Sequence, residues 1–63
     1  MNKLRKTRLK IGMTIEQAAV HAGISYRTLS DYELDKHEPT VRVLRKLAAL
    51  YETKVSDLIE EDV

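Results

Sequence analysis

The sequence lacks cysteine entirely and contains only one proline and two glycines. Without cysteine there are no disulfides and no thiolate zinc site, so the fold must be held by apolar packing. The shortage of proline and glycine favours helices over turn-rich structure. No apolar run approaches the ~20 residues of a membrane span, and the basic start is not followed by the apolar core of a signal peptide. We therefore expect a cytoplasmic protein without a membrane anchor.

Length and composition together predict one globular domain. The chain has 63 residues, of which 43% are hydrophobic and 33% are charged, a balance typical of folded proteins. A chain this short buries only ~60% of the surface that its unfolded form exposes, which is too little for two separate cores. Residues 1–63 are therefore expected to form a single domain.

Charge is distributed unevenly along the chain, although the formal net charge is only +1. Residues 1–10 contain five basic residues and no acid, whereas residues 52–63 contain five acids and a single lysine. The electrostatic field of this charge distribution would attract a polyanion to the basic end of the molecule and repel it from the acidic end. An ordinary solvated surface explains the same charges, so the pattern leaves both interpretations open.

The first predicted helix runs from Asn2 to about Ile11. Leu4, Arg8 and Ile11 fall on one face of it at helical spacing. Gly12 follows at the position of a left-handed C-cap, so the helix is expected to end there.

The second and third predicted helices are nearly contiguous. Thr14 and Gln17 have the spacing of a capping box, which begins a helix that ends at Gly23. Ser25 offers the next N-cap, and a short helix follows it to about Leu34.

The second half of the chain predicts two more helices. Pro39 closes a polar connection, and Thr40 can cap a long helix that continues to about Tyr51. Thr53 can cap a short last helix that reaches Ile59. No alternating strand pattern competes with this periodicity, so the predicted fold is an all-α, compact five-helix bundle.

The second and third helices have the spacing of a helix-turn-helix, with the unit at about residues 14–34. This motif needs a small residue where its helices cross and a residue tolerant of positive φ in its turn, and Ala19 and Gly23 occupy those positions. It also needs inward apolar side chains at fixed intervals, and these are Ala18, Ala22, Ile24, Leu29 and Tyr32. The helix at residues 25–34 would then be the one offered to the major groove of DNA.

With these features, the chain resembles the Cro and C1 repressor type of helix-turn-helix domain. The resemblance extends from Leu4 to Ile59. It rests on the segment at residues 8–19, RLKIGMTIEQAA, and on Pro39-Thr40 followed by Leu44, Leu47-Ala48 and Leu50. It implies a lambda-repressor-like fold and a DNA-binding transcriptional regulator, with repressor as the expected type. Such proteins are bacterial or phage-encoded and associate with the nucleoid when bound.

The same resemblance implies an ion pair between Arg8 of the first helix and Glu33 at the end of the third. The residues agree with it, because Arg8 lies on the apolar stripe, where an unpaired guanidinium would be costly. The alternative is that both side chains reach water along their apolar stems.

The family's base-reading positions fall on Tyr26, Arg27 and Asp31 of the third helix, with Ser30 nearby. Arg27 can donate two hydrogen bonds to guanine, and Tyr26 can contact a thymine methyl group. Asp31 can accept from cytosine N4. Phosphate contacts are expected from Thr14, Ser25, Thr28, Lys36 and Arg42. The alternative for each residue is an ordinary exposed position on a solvated helix.

We expect a homodimer on a palindromic operator in double-stranded DNA. One short helix reads too few base pairs for genomic specificity, and helix-turn-helix dimers place two such helices one duplex turn apart. The candidate dimer contacts are Leu58, Ile59 and Val63. The alternative for Leu58 and Ile59 is that they only cover the monomer core.

Three regions depart from the family pattern. Ile15 stands where a glutamine often contacts a phosphate, and Asp35 stands where a glycine commonly closes the third helix. Tyr51 and Glu52 occupy a region in which glycine or asparagine is usual. The loops after the third and fourth helices are therefore the places where this chain should differ from its family.

An enzyme is not expected. His21 and His37 are the only histidines, no nucleophile is paired with a base, and two isolated glycines cannot form a phosphate-binding loop. We therefore predict no catalytic residue, no metal and no cofactor. The competing function is a helical protein-interaction module, or an antitoxin-type partner binder, on the same fold. That module should present apolar anchors on the exposed face of the third helix.

Overall fold

The computed structural model describes residues 2–59, which fold into four α-helices and one 3₁₀ helix. The elements are α1 (Lys3–Ile11), α2 (Ile15–Ala22), α3 (Tyr26–Glu33), α4 (Val41–Leu50) and the 3₁₀ helix (Val55–Leu58). No strand occurs within residues 2–59, so the predicted all-α helix-turn-helix fold is confirmed. The prediction of five α-helices is wrong, because the last element has only four residues and adopts the tighter 3₁₀ form that short helices favour.

Hydroxyl side chains begin α2, α3 and α4, as the sequence predicts. The hydroxyl oxygens of Thr14, Ser25 and Thr40 each accept a hydrogen bond from the backbone N–H three residues later, at 3.1, 3.1 and 3.2 Å. The backbone N–H of Thr14 donates in turn to Oε1 of Gln17 at 3.0 Å, which completes the predicted capping box. Caps of this kind typically stabilise a helix by ~1 kcal/mol.

Four left-handed residues end the α-helices or follow them closely, and only two are glycine. Gly12 and Gly23 have φ of 86° and 71°, which confirms both predicted C-caps. Asp35 and Glu52 have φ of 61° and 54° in the loops after α3 and α4. Because a Cβ crowds the backbone in this conformation, each of these two side chains costs about 1 kcal/mol that glycine would avoid.

Small side chains let α2 lie close to its neighbours. Ala18, Ala19 and Ala22 are at most 2% exposed, and α2 packs against both α3 and α4. Leu29 of α3 and Leu47 of α4 are fully buried in the same core. Of the predicted inward positions of the helix-turn-helix, Ala18, Ala22 and Leu29 are buried in this core, whereas Ile24 and Tyr32 are half-buried and pack against it.

Helix α1 packs against α3 and against the 3₁₀ helix. Leu4 and Leu58 are each 3% exposed where these elements meet. Ile11 was predicted to share the inward face with Leu4 and Arg8, but it is 45% exposed. The inward stripe of α1 ends at Arg8, because the helix stops at Ile11 and the chain turns away at Gly12.

The 3₁₀ helix does not begin with the predicted Thr53 cap. Its N-cap is Lys54, and the Thr53 hydroxyl donates instead to Oδ2 of Asp57 at 2.8 Å. The backbone N–H of Lys54 donates to the same oxygen at 3.3 Å. These bonds, the one from Thr53 first, lower the pKa of Asp57 below its ordinary value. A carboxylate inside the element thus replaces the expected hydroxyl cap.

Candidate nucleic-acid interface

The first turn of α3 offers two large side chains to solvent. Tyr26 is 59% exposed and Arg27 is also exposed, whereas Leu29 and Glu33 on the opposite face are buried. This division follows from the helical period, since residues three to four positions apart share a face. The exposed turn combines an aromatic ring and a guanidinium, which can contact bases in a groove.

The other two predicted base-reading residues are half-buried. Ser30 and Asp31 occupy the middle of α3, and Oδ2 of Asp31 lies 4.0 Å from Nε2 of His37 in the following loop. The backbone carbonyl of Asp31 also accepts a hydrogen bond from Lys36 at 2.9 Å. Asp31 is therefore less accessible than the two residues of the first turn.

The predicted phosphate-contacting hydroxyls already have partners within the protein. Thr14 caps α2, and Ser25 caps α3. The hydroxyls of Ser25 and Thr28 also lie 2.8 Å apart, so one of them donates to the other. Because a hydroxyl has one proton and two lone pairs, one proton of this pair is left to donate to an external acceptor.

The N-termini of α3 and α4, like that of α1, lack the negative charge that usually stabilises the start of a helix. The first turns of α3 and α4 contain no acid, and each carries an exposed arginine, Arg27 and Arg42. The N-terminus of a helix carries a partial positive charge, which disfavours a cation beside it. An external anion such as a phosphate would relieve this mismatch. Lys36, in the loop between these helices, is exposed and adds a further cation.

The opposite end of α3 is held by a buried ion pair with α1. Nε of Arg8 donates to Oε2 of Glu33 at 2.7 Å, and Nη2 donates to Oε1 at 2.9 Å. Arg8 is 6% and Glu33 is 5% exposed, so the pair lies inside the protein, as the sequence and the resemblance led us to expect. Nη1 of Arg8 also donates to the carbonyl of Met13 at 2.8 Å. The hydrogen bond with Glu33 raises the pKa of Arg8, which secures its charge.

A buried tyrosine beside this pair was not identified from the sequence. Tyr51 is 2% exposed, and its hydroxyl has no hydrogen-bond partner among residues 2–59. Burial is the main cause that raises the pKa of Tyr51 to about 12, and the charge of Glu33 adds to it while Arg8 opposes it. The signal in the sequence was the large aromatic residue in a region where the family favours glycine or asparagine.

The predicted dimer contacts differ in how much surface they offer. Leu58 is 3% exposed and belongs to the core, so it has almost no area left for a second chain. Ile59 is 42% exposed and therefore has surface available for contact with a second chain. Val63 lies outside the described residues. The burial of Leu58 agrees with the alternative that it covers the monomer core.

No helix within residues 2–59 has both the length and the apolar character required to cross a bilayer. In the same part of the chain, no three histidine, aspartate or glutamate side chains converge on a point that could hold a metal ion. His21 and His37 are both exposed.

A helix-turn-helix family model matches residues 4–58. The chain belongs to this family. The match covers all four α-helices but for the first residue of α1, and all of the 3₁₀ helix, and it confirms the resemblance to the Cro and C1 repressor type.

Two relatives agree with this assignment. The chain is 32% identical over 56 residues to an uncharacterized HTH-type transcriptional regulator from Archaeoglobus fulgidus, a match that covers 89% of this chain and 80% of the relative. It is 35% identical over 60 residues to the HTH-type transcriptional regulator ImmR of Bacillus subtilis, covering 95% of this chain. That match spans only 47% of ImmR, so the chain corresponds to about half of the longer relative. No solved structure matches the chain significantly.

Proposed function

We propose that the protein binds double-stranded DNA in a sequence-specific manner and regulates transcription. The observation that carries this proposal is the exposed first turn of α3, with Tyr26 and Arg27, on a helix whose other end is fixed inside the protein. An exposed helix that is rigidly held is what major-groove recognition needs. Membership of the helix-turn-helix family supports the same conclusion, and so do the names of both relatives, which describe HTH-type transcriptional regulators.

Within this proposal the residues of α3 read the bases. Arg27 donates to guanine O6 and N7, and Tyr26 contacts a thymine methyl group or a phosphate. Ser30 and Asp31 have less exposed surface and act at the edge of the contact. A carboxylate close to phosphates contributes mainly by disfavouring the wrong sites.

The phosphate contacts flank the recognition helix. Thr14 and one of the hydrogen-bonded pair Ser25 and Thr28 donate a hydroxyl proton, while Lys36 and Arg42 supply charge on the loop and on the first turn of α4. Contacts of this kind fix the position of the protein and carry no sequence information of their own. They should therefore account for most of the salt dependence of binding.

The protein acts, in this proposal, as a homodimer on a palindromic operator and represses transcription by occupying it. A single eight-residue helix contacts too few base pairs to find one site in a genome, and a dimer doubles the number. Ile59 is the exposed apolar residue that a dimer contact near the 3₁₀ helix would use.

The test is selection of bound sequences from a random duplex pool by the purified protein, at two salt concentrations. We expect a palindromic motif whose half-sites lie about one duplex turn, ~34 Å, apart. Footprints on the selected duplex at saturating protein should then cover both half-sites. Failure to enrich any motif at low salt would reject DNA reading by α3 and would favour the protein-interaction alternative. A footprint over one half-site only would reject the dimer.

A further inference from the structure

Asn2 is a buried polar residue that the DNA-contacting surface does not use. It is 5% exposed, although it lies at the very start of the described chain and immediately before α1. Its side-chain oxygen accepts a hydrogen bond from the backbone N–H of Arg5 at 3.0 Å, which makes it the N-cap of α1. Capping alone does not require burial, since the cap of α2, Thr14, is exposed.

The amide nitrogen of the same side chain reaches across to the end of the recognition helix. Nδ2 of Asn2 donates to the backbone carbonyl of Tyr32 at 2.7 Å and lies 3.3 Å from Oδ1 of Asp35. Tyr32 belongs to the last turn of α3, and Asp35 is the left-handed residue of the loop that follows. One side chain therefore joins the first turn of α1 to the last turn of α3.

This contact lies on the same two helices as the buried ion pair but bonds to the backbone rather than to a side chain. Arg8 holds α3 through the carboxylate of Glu33, which has rotatable bonds between it and the helix axis. Asn2 holds the carbonyl of Tyr32, which is part of the helix itself. The second contact consequently restricts the direction of the helix axis more directly than the first.

We propose that Asn2 is a positioning residue for DNA reading, which sets the angle of α3 relative to α1 through its bond to Tyr32. The inference rests on the proposed function, because the angle of α3 matters only if α3 enters a groove. A helix held at one end by two contacts presents its free first turn in a fixed direction. If one contact is removed, α3 adopts the reading orientation for a smaller fraction of the time, and the apparent affinity falls by that fraction.

Asparagine is suited to this position because it carries an acceptor and a donor on one short side chain. Serine and aspartate are equally good helix caps but lack the amide donor. Asn2→Ser therefore keeps the cap of α1 and the net charge while it removes the bond to Tyr32. This substitution separates positioning from capping.

A second variant tests the contact with Asp35. The double variant Asn2→Asp with Asp35→Asn keeps the net charge and the cap, and it lets the amide introduced at position 35 donate to the carboxylate at position 2. Asparagine also tolerates the left-handed conformation of position 35. We expect the double variant to bind the selected duplex more tightly than Asn2→Asp alone, in which the carboxylates at positions 2 and 35 face each other.

The experiment compares the wild-type protein and Asn2→Ser in three measurements: urea unfolding, amide hydrogen exchange of the free protein, and binding to the selected and to a scrambled duplex. We expect the unfolding midpoint to fall only slightly, as for the loss of one hydrogen bond, and the amides of Leu34 and Lys36, which donate to carbonyls of α3, to exchange faster. Affinity for the selected duplex should fall by roughly three- to tenfold, the value of one lost hydrogen bond, with no change for the scrambled duplex.

Two results would overturn the inference. One is equal weakening of both duplexes together with a large drop in the unfolding midpoint, which would make Asn2 an ordinary structural residue. The other is wild-type exchange and wild-type affinity in Asn2→Ser. If the wild-type protein selects no duplex, the proposed function fails, and the exchange rates of the free protein still decide whether Asn2 holds α3.

Discussion

The two ends of α3 have different surroundings although the helix has only eight residues. The first turn exposes Tyr26 and Arg27 and makes no ion pair with a residue in the range 2–59, while the last turn buries Glu33 against Arg8 and is bonded through Tyr32. Side chains at the first end can change their contacts without a cost to the core. Side chains at the last end cannot, because an unpaired charge there would be left in a medium of low polarity. The residues of α3 that stabilise the protein are therefore different from the residues of α3 that are exposed for contact with a partner.

The largest effect is expected from breaking the buried end. Arg8→Ala leaves the carboxylate of Glu33 buried without its partner and should lower the free energy of unfolding by ~3–5 kcal/mol. Urea unfolding followed by circular dichroism measures this loss. Replacing both partners, as Arg8→Met with Glu33→Leu, removes the charge as well as the bond and should recover much of the stability. A loss below ~1 kcal/mol in Arg8→Ala would show that the pair is in effect solvated.

The exposed end should behave in the opposite way. Arg27→Ala is expected to leave the unfolding midpoint unchanged and to weaken binding by ~1–3 kcal/mol per half-site, with the preference lost at one base pair. Titration of selected and scrambled duplexes at several salt concentrations measures both quantities. Lys36→Ala is the matched control, since it removes one positive charge but should weaken all duplexes alike and reduce the salt slope by ~0.9. Equal weakening of both duplexes by Arg27→Ala would make Arg27 a phosphate contact.

Tyr51, which is buried near the Arg8–Glu33 pair, should make the free energy of unfolding depend on alkaline pH. Its pKa is raised in the folded protein from 10.0 to about 12, so the unfolded chain loses this proton first as the pH rises. The contribution to stability is complete below pH ~10 and is lost progressively as the pH approaches the folded pKa, by ~2 kcal/mol at pH ~12. Unfolding curves between pH 8 and 12 measure the decline.

Tyr51→Phe supplies the control for that measurement. It should flatten the decline, and it should not destabilise the protein at neutral pH, because it removes a buried hydroxyl that lacks a partner among residues 2–59. A variant that unfolds as steeply with pH as the wild type would assign the decline to other groups.

The smallest effects on stability are expected at Asp35 and Glu52, the two non-glycine residues with positive φ in residues 2–59. Glu52→Gly should raise the free energy of unfolding by ~0.5–1 kcal/mol, because it relieves a positive φ at an exposed position. Asp35→Gly relieves the same strain but also removes the weaker of the two acceptors of the Asn2 amide, so its gain should be smaller. Thermal unfolding of the two variants side by side sharpens the contrast between the buried end of α3 and the rest of the chain. If Asp35→Gly raised the stability more than Glu52→Gly, the contact between Asn2 and Asp35 would contribute nothing to stability.

Local signals made the helix-turn-helix predictable. Ala19 and Gly23 have the conformations that their spacing requires, and the hydroxyls of Thr14 and Ser25 cap the helices that they precede. In each case the cause lies within a few residues along the chain. The exposed position of Arg27 followed from the same helical period.

Contacts between distant residues were harder to foresee. Asn2 bonds to a carbonyl 30 residues away, and nothing near Asn2 in the sequence indicates that partner. The burial of Tyr51 depends on how α4 packs against α2 and the 3₁₀ helix, which periodicity alone does not give. Arg8 and Glu33 are 25 residues apart and were paired only with the help of the family resemblance. Ile11 was misjudged because its helix ends before the inward face continues.

The separation of roles on α3 has a consequence for the design of new binding specificities. The inward set, Leu29, Tyr32 and Glu33, and the outward set, Tyr26, Arg27, Ser30 and Asp31, share no member. A library that randomises the two exposed members of the outward set, Tyr26 and Arg27, would therefore leave the interior contacts of α3 untouched, and most of its members should fold. Ser30 and Asp31 are half-buried, so fewer residue types should be accepted there. The protein thus provides a small, cysteine-free scaffold on which the reading surface can be rewritten one position at a time.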